Sequence, residues 1–363
     1  MQEGVRKTGG GLATAPLASL AAAGAQTPAS PSSVRLGIDV FSLRSQGWSA
    51  IQLLDYAAKL GARMAHFSEP RFLGGLEEGH LRQVKAHADK LGMALEVGMG
   101  SICPTSKRFA SAEGTAEEQL TRLLRVARLC GSPIVRAYLG SWEDRLGPNS
   151  IEPHIEATVK VLRAARSRAV DAGLKIALEN HAGDLQAREM KTLLEEAGRD
   201  FAGSCLDSGN PVWAIEDPHL TLETLAPYVL TTHIRDSAVW EEPAGVAVAW
   251  TALGEGTIGI DRWVRRFAEL CPGRPLALEI IVTRQPRIHR YQEPSFWNAF
   301  PSTPAWEFAR FLRLARQGSP RRPADPPAGA APGTPEYKAF LVADERAALE
   351  RSVRYCRETL GAG

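Results

Sequence analysis

From Val34 onward, short apolar runs alternate with longer segments in which apolar positions return every three or four residues. The short runs read as buried strands and the longer segments as helices that lay one face on them. Strands are predicted over 36–40, 62–67, 94–97, 134–138, 174–179, 202–207, 229–235 and 275–280. Helices are predicted at about 49–60, 78–91, 115–130, 150–172, 187–197, 220–225, 261–270 and 304–315. Ser49 is placed to cap the first helix, and Gly61 and Gly92 to stop the first two. Strand followed by helix, eight times over, predicts an α/β fold: a (β/α)8 TIM barrel across residues 34–317, joined by right-handed crossovers. A Pro- and Gly-rich linker then leads from Gly318 to a last helix at about 337–360, which packs either on the barrel or on a second subunit.

The strand ends carry the chemistry. The fifth predicted strand runs Ala177-Leu178 and stops in Glu179-Asn180-His181. The sixth stops at Leu206-Asp207, the seventh passes Thr231-Thr232 to His233, and the eighth passes Ala277-Leu278 to Glu279. In a parallel barrel all strands open onto one face, so ends from successive strands converge there. Three carboxylates and an imidazole make a hard, mostly oxygen donor set, suited to Mn, Mg or similar ions.

Composition narrows the partners. The 363 residues carry a formal net charge of +2 with no basic block, which gives no support for nucleic acid as a partner. No run approaches the roughly 18 consecutive apolar residues of a membrane span, so no membrane insertion is expected. A small-molecule partner fits better. The five cysteines are scattered without a C-x-x-C and read mostly as small buried hydrophobes. Residues 1–33 read as a signal-like leader and linker: Arg6-Lys7, a weakly apolar stretch and Ala23-Gly24-Ala25 follow the order of an export signal. They resemble twin-arginine signals with Lys in place of the second Arg, and imply a periplasmic or secreted protein, the alternative being a cytoplasmic one.

The order Leu178-Glu179-Asn180-His181, Leu206-Asp207-Ser208-Gly209-Asn210, Thr232-His233-Ile234-Arg235-Asp236 and Leu278-Glu279 resembles the xylose isomerase-like TIM barrels known as sugar phosphate isomerases/epimerases. The resemblance spans roughly 34–316. It implies one divalent metal ion (Mn, Mg, Co or Zn) on Glu179, Asp207, His233 and Glu279, with Glu179 and Glu279 also moving the proton. Its substrates are small carbohydrates, and homo-oligomers are common. Asn210 and Met99-Gly100 stand where the related trinuclear zinc nucleases need histidines, which argues against that activity.

Around these positions, His66 and Glu69 are expected to face the mouth, and Arg235 to share the side of His233 and reach substrate oxygens. His181 either binds a substrate hydroxyl or caps the next helix, and Asp236 supports the ligands from behind. Lys107, Arg108 and the arginines of the last long loop either bind a carboxylate or solvate their loops. Trp142, Trp240, Phe296 and Trp297 either stack on a sugar ring or pack a lid. The activity expected first is a divalent-metal-dependent sugar isomerase or epimerase working on a ketose or keto sugar derivative through an enediolate; the alternatives are a lyase on the same barrel, either eliminating from a 3-keto-glycoside or decarboxylating a 3-keto sugar acid, and a non-catalytic secreted sugar-binding protein. The converging carboxylates argue against the last, because binding alone does not need them.

Overall fold

The computed structural model describes residues 34–321 and 323–362 together with Met1, so the leader expected over the first 33 residues lies, Met1 apart, outside the described residues. In chain order the strands are β1 (Leu36–Asp39), β2 (Met64–Phe67), β3 (Ala94–Ser101), β4 (Ile134–Tyr138), β5 (Lys175–Glu179) and β6 (Ala202–Asp207). There follow β7 (Val229–His233), β8 (Asp236–Glu242), β9 (Gly245–Thr251), β10 (Leu276–Leu278) and β11 (Arg287–His289). The parallel sheet runs β10-β1-β2-β3-β4-β5-β6-β7, and a bridge between Ile234 and Leu278 brings its two edges together. There the Ile234 N–H donates to Ala277 at 2.7 Å and the Glu279 N–H to Ile234 at 3.0 Å. The fold is the expected TIM barrel.

Helices α1 (Ala50–Lys59), α2 (Glu78–Lys90), α3 (Ala116–Cys130), α4 (Glu152–Asp171), α5 (Ala187–Ala197), α6 (Pro218–Leu225), α7 (Ile260–Leu270) and α8 (Ala305–Gln317) come between and after these strands. Each is amphipathic for the reason the pattern gave. In α7, Ile260, Trp263, Val264, Phe267 and Ala268 are buried, a three- and four-residue spacing that faces the sheet. Ser49 and Gln52 form a reciprocal capping box at the start of α1, as Thr115 and Glu118 do for α3.

One region departs from the reading. Residues 236–251, expected as a loop, form an antiparallel hairpin of β8 and β9, to which β11 adds a third strand. This small sheet stands over the C-terminal ends of the barrel strands and supplies part of the cavity wall.

The last helix, α9 (Pro335–Glu358), packs on the barrel. Its Leu349, Val353 and Cys356 are buried, and its Ser352 hydroxyl accepts the Leu253 N–H at 3.1 Å. Glu345 accepts the Ser45 N–H at 2.9 Å and the Ser45 hydroxyl at 2.7 Å, which ties the helix to the loop after β1.

Candidate metal centre and substrate cavity

Strands β5, β6 and β7 each end in a buried polar side chain, and Glu279 follows β10 directly. One ligand atom each from Glu179, Asp207, His233 and Glu279 lies within 4.8 Å of every other. The His233 Nδ1 is 2.9 Å from Glu179 Oε2 and 3.2 Å from Glu279 Oε2. Neighbouring donors around an octahedral ion with bonds of about 2.1 Å stand about 3 Å apart. The Asp207 Oδ2 and the His233 Nδ1 are buried and have no well-aligned hydrogen-bond partner among the described residues. Unsatisfied atoms of this kind need an explanation, and both belong to the ring. Geometry, donor chemistry and the two orphan atoms all fit a single divalent cation.

The ring residues are fixed by their neighbours. Asp207 keeps its other oxygen, Oδ1, on the N–H groups of Gly209 and Asn210, both at 2.7 Å. Glu179 Oε1 accepts the Asn210 amide at 3.1 Å, and its Oε2 accepts Arg136 Nε at 2.6 Å. Burial alone would raise the Glu179 carboxyl, but the Arg136 guanidinium and His233 more than offset this and hold it well below the usual range. Asp207 shows the opposite balance: burial pushes it up to about 6 against the pull of Arg235. The Arg235 guanidinium lies 2.6 Å from Asp207 Oδ2, off the hydrogen-bonding direction, and also contacts Glu279.

His66 does not face the mouth. Its ring is fully buried behind the metal ring, with Nδ1 3.1 Å from His233 Nε2 and 3.6 Å from Glu96 Oε2. Burial holds His66 down to about 3, so it is neutral and its Nδ1 faces the His233 Nε2. Against burial, acidic neighbours that include Glu179 and Asp39 raise His233 well above the usual imidazole range, and a cation in the ring would take the place of its Nδ1 proton. The Asp39 Oδ2, 2.9 Å from His233 Nε2, adds a negative charge on the same side. Such outer partners fix a ligand's tautomer and typically set about 10- to 100-fold in metal affinity. His66→Phe is therefore expected to weaken Mn binding by about that factor in a calorimetric titration. Unchanged metal affinity with only a raised KM would return His66 to the substrate role read from the sequence.

Above the ring is a cavity of about 320 Å3. Its wall includes Glu69, Arg108, Arg136, His181, Arg235 and Trp250. Glu69, His181, Arg235 and Glu279 are thus brought together where expected. His181 stacks on Tyr138 with ring centroids 3.9 Å apart, and its Nδ1–H donates to the Gly140 carbonyl at 2.7 Å. Burial lowers it to about 4, so a neutral imidazole lines the cavity with its Nε2 lone pair unused. Trp250, whose ring centroid lies 4.8 Å from the Arg235 guanidinium carbon, closes one side.

Two expected substrate residues lie elsewhere. Trp142 is outside this cavity, under the Arg287 guanidinium at 3.5 Å, and lines a separate space of about 190 Å3 with Phe296 and Phe300. The loop after β4 turns it outward. Lys107 is exposed, with its main-chain N–H on Asp144 at 2.9 Å, while the next residue, Arg108, reaches the cavity. Asp236 does not touch the ring either: it accepts the N–H groups of Gly254 and Gly256 at 3.0 and 3.1 Å and so anchors the turn before α7. Missed altogether was Arg136, only 3% exposed within β4. A buried arginine inside an apolar strand is itself the signal, since such a charge needs a buried partner.

Residues 54–297 match the model of the family described as Xylose isomerase-like TIM barrel. The chain belongs to this family. Among curated proteins, the xylose isomerase-like barrel is 24% identical over 211 residues to 3-oxo-isoapionate decarboxylase of Pectobacterium atrosepticum, covering 58% of this chain and 69% of that protein. Among solved structures it is similar to D-psicose 3-epimerase of Clostridium cellulolyticum H10 with D-tagatose, at TM-score 0.56 and 16% identity over 89% of this chain and 99% of that one. A xylose isomerase-like TIM barrel protein of Mycobacterium smegmatis in complex with magnesium superposes at TM-score 0.53 and 15% identity, over 78% and 97% of the two chains. At these identities the structural likeness shows the fold. Among the described residues, no helix is long and apolar enough to cross a membrane.

Proposed function

We propose that this barrel is a divalent-metal-dependent lyase that removes carbon dioxide from a small 3-oxo sugar acid. The observation that carries this reading is the clamp of Arg136 on Glu179. An epimerase needs a carboxylate on each face of the substrate that takes and returns a proton at working pH. Glu179, bound by both Nε and Nη2 of the buried Arg136, is a weak base. Decarboxylation starts without a base. The bond from the carboxylate carbon to its neighbour breaks, carbon dioxide leaves, the electron pair passes into the adjacent carbonyl as an enolate, and the vacated carbon takes a proton from solvent.

A divalent ion held by Glu179, Asp207, His233 and Glu279 would supply the pull on the carbonyl oxygen. The residues of the chain do the rest. Arg136, Arg108 and Arg235 line the cavity beside Glu69 and Glu279 and offer guanidiniums to an acid substrate. His181 accepts a substrate hydroxyl proton at Nε2. Trp250 covers the Arg235 guanidinium and keeps bulk water from that side. A cavity of about 320 Å3 suits a monosaccharide-sized ligand, at the small end of ligand pockets. The curated decarboxylase relative supports the same choice.

A second reading, sugar epimerisation, is favoured by one feature: Glu179 and Glu279 both approach His233 Nδ1, as a carboxylate pair flanking a substrate would. NMR in deuterated water separates them. Mn-loaded protein is incubated with carboxyl-13C-labelled 3-oxo sugar acids and with ketoses. Labelled carbon dioxide, with one deuterium at the vacated carbon, is the expected result. Deuterium exchange into a ketose without gas release would establish the epimerase instead, and neither event on any substrate would sink both.

A further inference from the structure

The substrate cavity does not end at its own wall. A second cavity of about 310 Å3 shares Glu69, Arg108 and Tyr138 with it and continues between the loops after β2 and β3 to the first half of α3. These three residues form the neck. Strand β3 slips register between Gly98 and Ser101, and a methyl group at Gly100, on the wall of the second cavity, would stand in ordinary contact with the Tyr138 hydroxyl at 3.7 Å. The far wall is built rather than loose. Gln119, only 4% exposed, donates its amide to the carbonyls of Ala110 and Gly114, both at 2.9 Å, and so fixes the loop leading into α3.

The charges in this second space are unevenly committed. Arg71 is taken up by Glu69, with its guanidinium over Phe72 at 4.5 Å. Arg108 has its nearest carboxylate oxygen, on Glu143, at 3.9 Å. Arg122 has no ion-pair partner among the described residues and gives its Nη2 to the main-chain oxygen of Glu113 at 3.0 Å. Two guanidiniums without a tight carboxylate therefore face one small space joined to the reaction site, with the Glu113 carboxylate as the opposing charge. Guanidinium pairs of this kind recognise planar or tetrahedral oxyanions.

We propose that the second cavity is an oxyanion subsite, in which Arg108 and Arg122 hold a phosphate or second carboxylate at the far end of the substrate. The inference rests on the lyase reading only for which end of the substrate lies over the metal ring. It makes the substrate a doubly anionic sugar acid rather than a simple one.

The test is a calorimetric titration of the Mg-loaded full chain with D-gluconate, D-glucarate and 6-phospho-D-gluconate. None of them carries a 3-oxo group, so binding is read without turnover. One of the doubly charged acids is expected to bind about tenfold tighter than gluconate, and which of them does so identifies the oxyanion. Arg122→Gln is expected to erase that preference while leaving gluconate affinity within about twofold, and high salt to shrink it. Equal affinity for the acids, a preference that survives in Arg108→Gln/Arg122→Gln, or no binding of any acid overturns the subsite. A preserved preference in a protein that releases no carbon dioxide overturns the lyase reading and leaves the subsite standing.

Discussion

Glu179→Ala is expected to abolish turnover and to lower the thermal midpoint in the same protein. The carboxylate is fully buried and holds several groups at once: Arg136 at 2.6 Å, the Asn210 amide at 3.1 Å and His233 at 2.9 Å. Alanine removes one member of the metal ring and also leaves the Arg136 charge, itself 3% exposed, without its partner. Stranding a buried charge in this way costs about 3–5 kcal/mol. Differential scanning calorimetry reads that cost, and a metal titration reads the lost ligand. The double variant Glu179→Leu/Arg136→Met replaces the pair by apolar groups and is expected to regain most of the stability without regaining turnover. A single variant as stable and as active as the parent would remove Glu179 from the centre.

Arg136→Met is the second large effect, and it works in the opposite sense on the metal. The ring keeps all its donors, so Mn affinity is expected to stay level or rise, since Glu179 no longer shares its charge with a guanidinium. What falls is the response to acid substrates. A charge-assisted contact is worth about 1.5–3 kcal/mol, so kcat/KM for a 3-oxo acid should drop by about 10- to 100-fold. Neutral ketoses should be indifferent to the change. If acids and neutral sugars lose equally, Arg136 acts only on Glu179 and the anion argument fails.

The barrel and the four ring positions were legible because both follow from periodicity. Apolar runs of strand length recur with helical segments between them, and a polar side chain at the C-terminal end of a barrel strand has only one place to go. His66 was misplaced by the same logic carried one step too far. Its register partner is Asp39, and the pair sits inside the barrel beneath the mouth; Ser68 and Glu69, just beyond, line the cavity. Strand ends one or two residues apart thus differ between supporting a ligand and touching a substrate. Trp142 and Lys107 failed for another reason: they sit in loops, where no period dictates which way a side chain turns. The β8–β9 hairpin was readable in principle. Alternating runs flank Pro243-Ala244-Gly245, a turn signal of the kind that joins two antiparallel strands outside the eightfold repeat.

The hairpin also separates two kinds of inheritance. Trp250 belongs to β9, in a sheet whose hydrogen bonds run to β8 and β11 and not to the barrel strands. The metal ring belongs to the barrel. Mutations that reshape the hairpin, or the loops after β2 and β3, redraw the walls around the substrate while the cation-holding residues stay in register. A lineage built this way can explore new sugars by drift in its outer parts, with its chemical step held constant underneath.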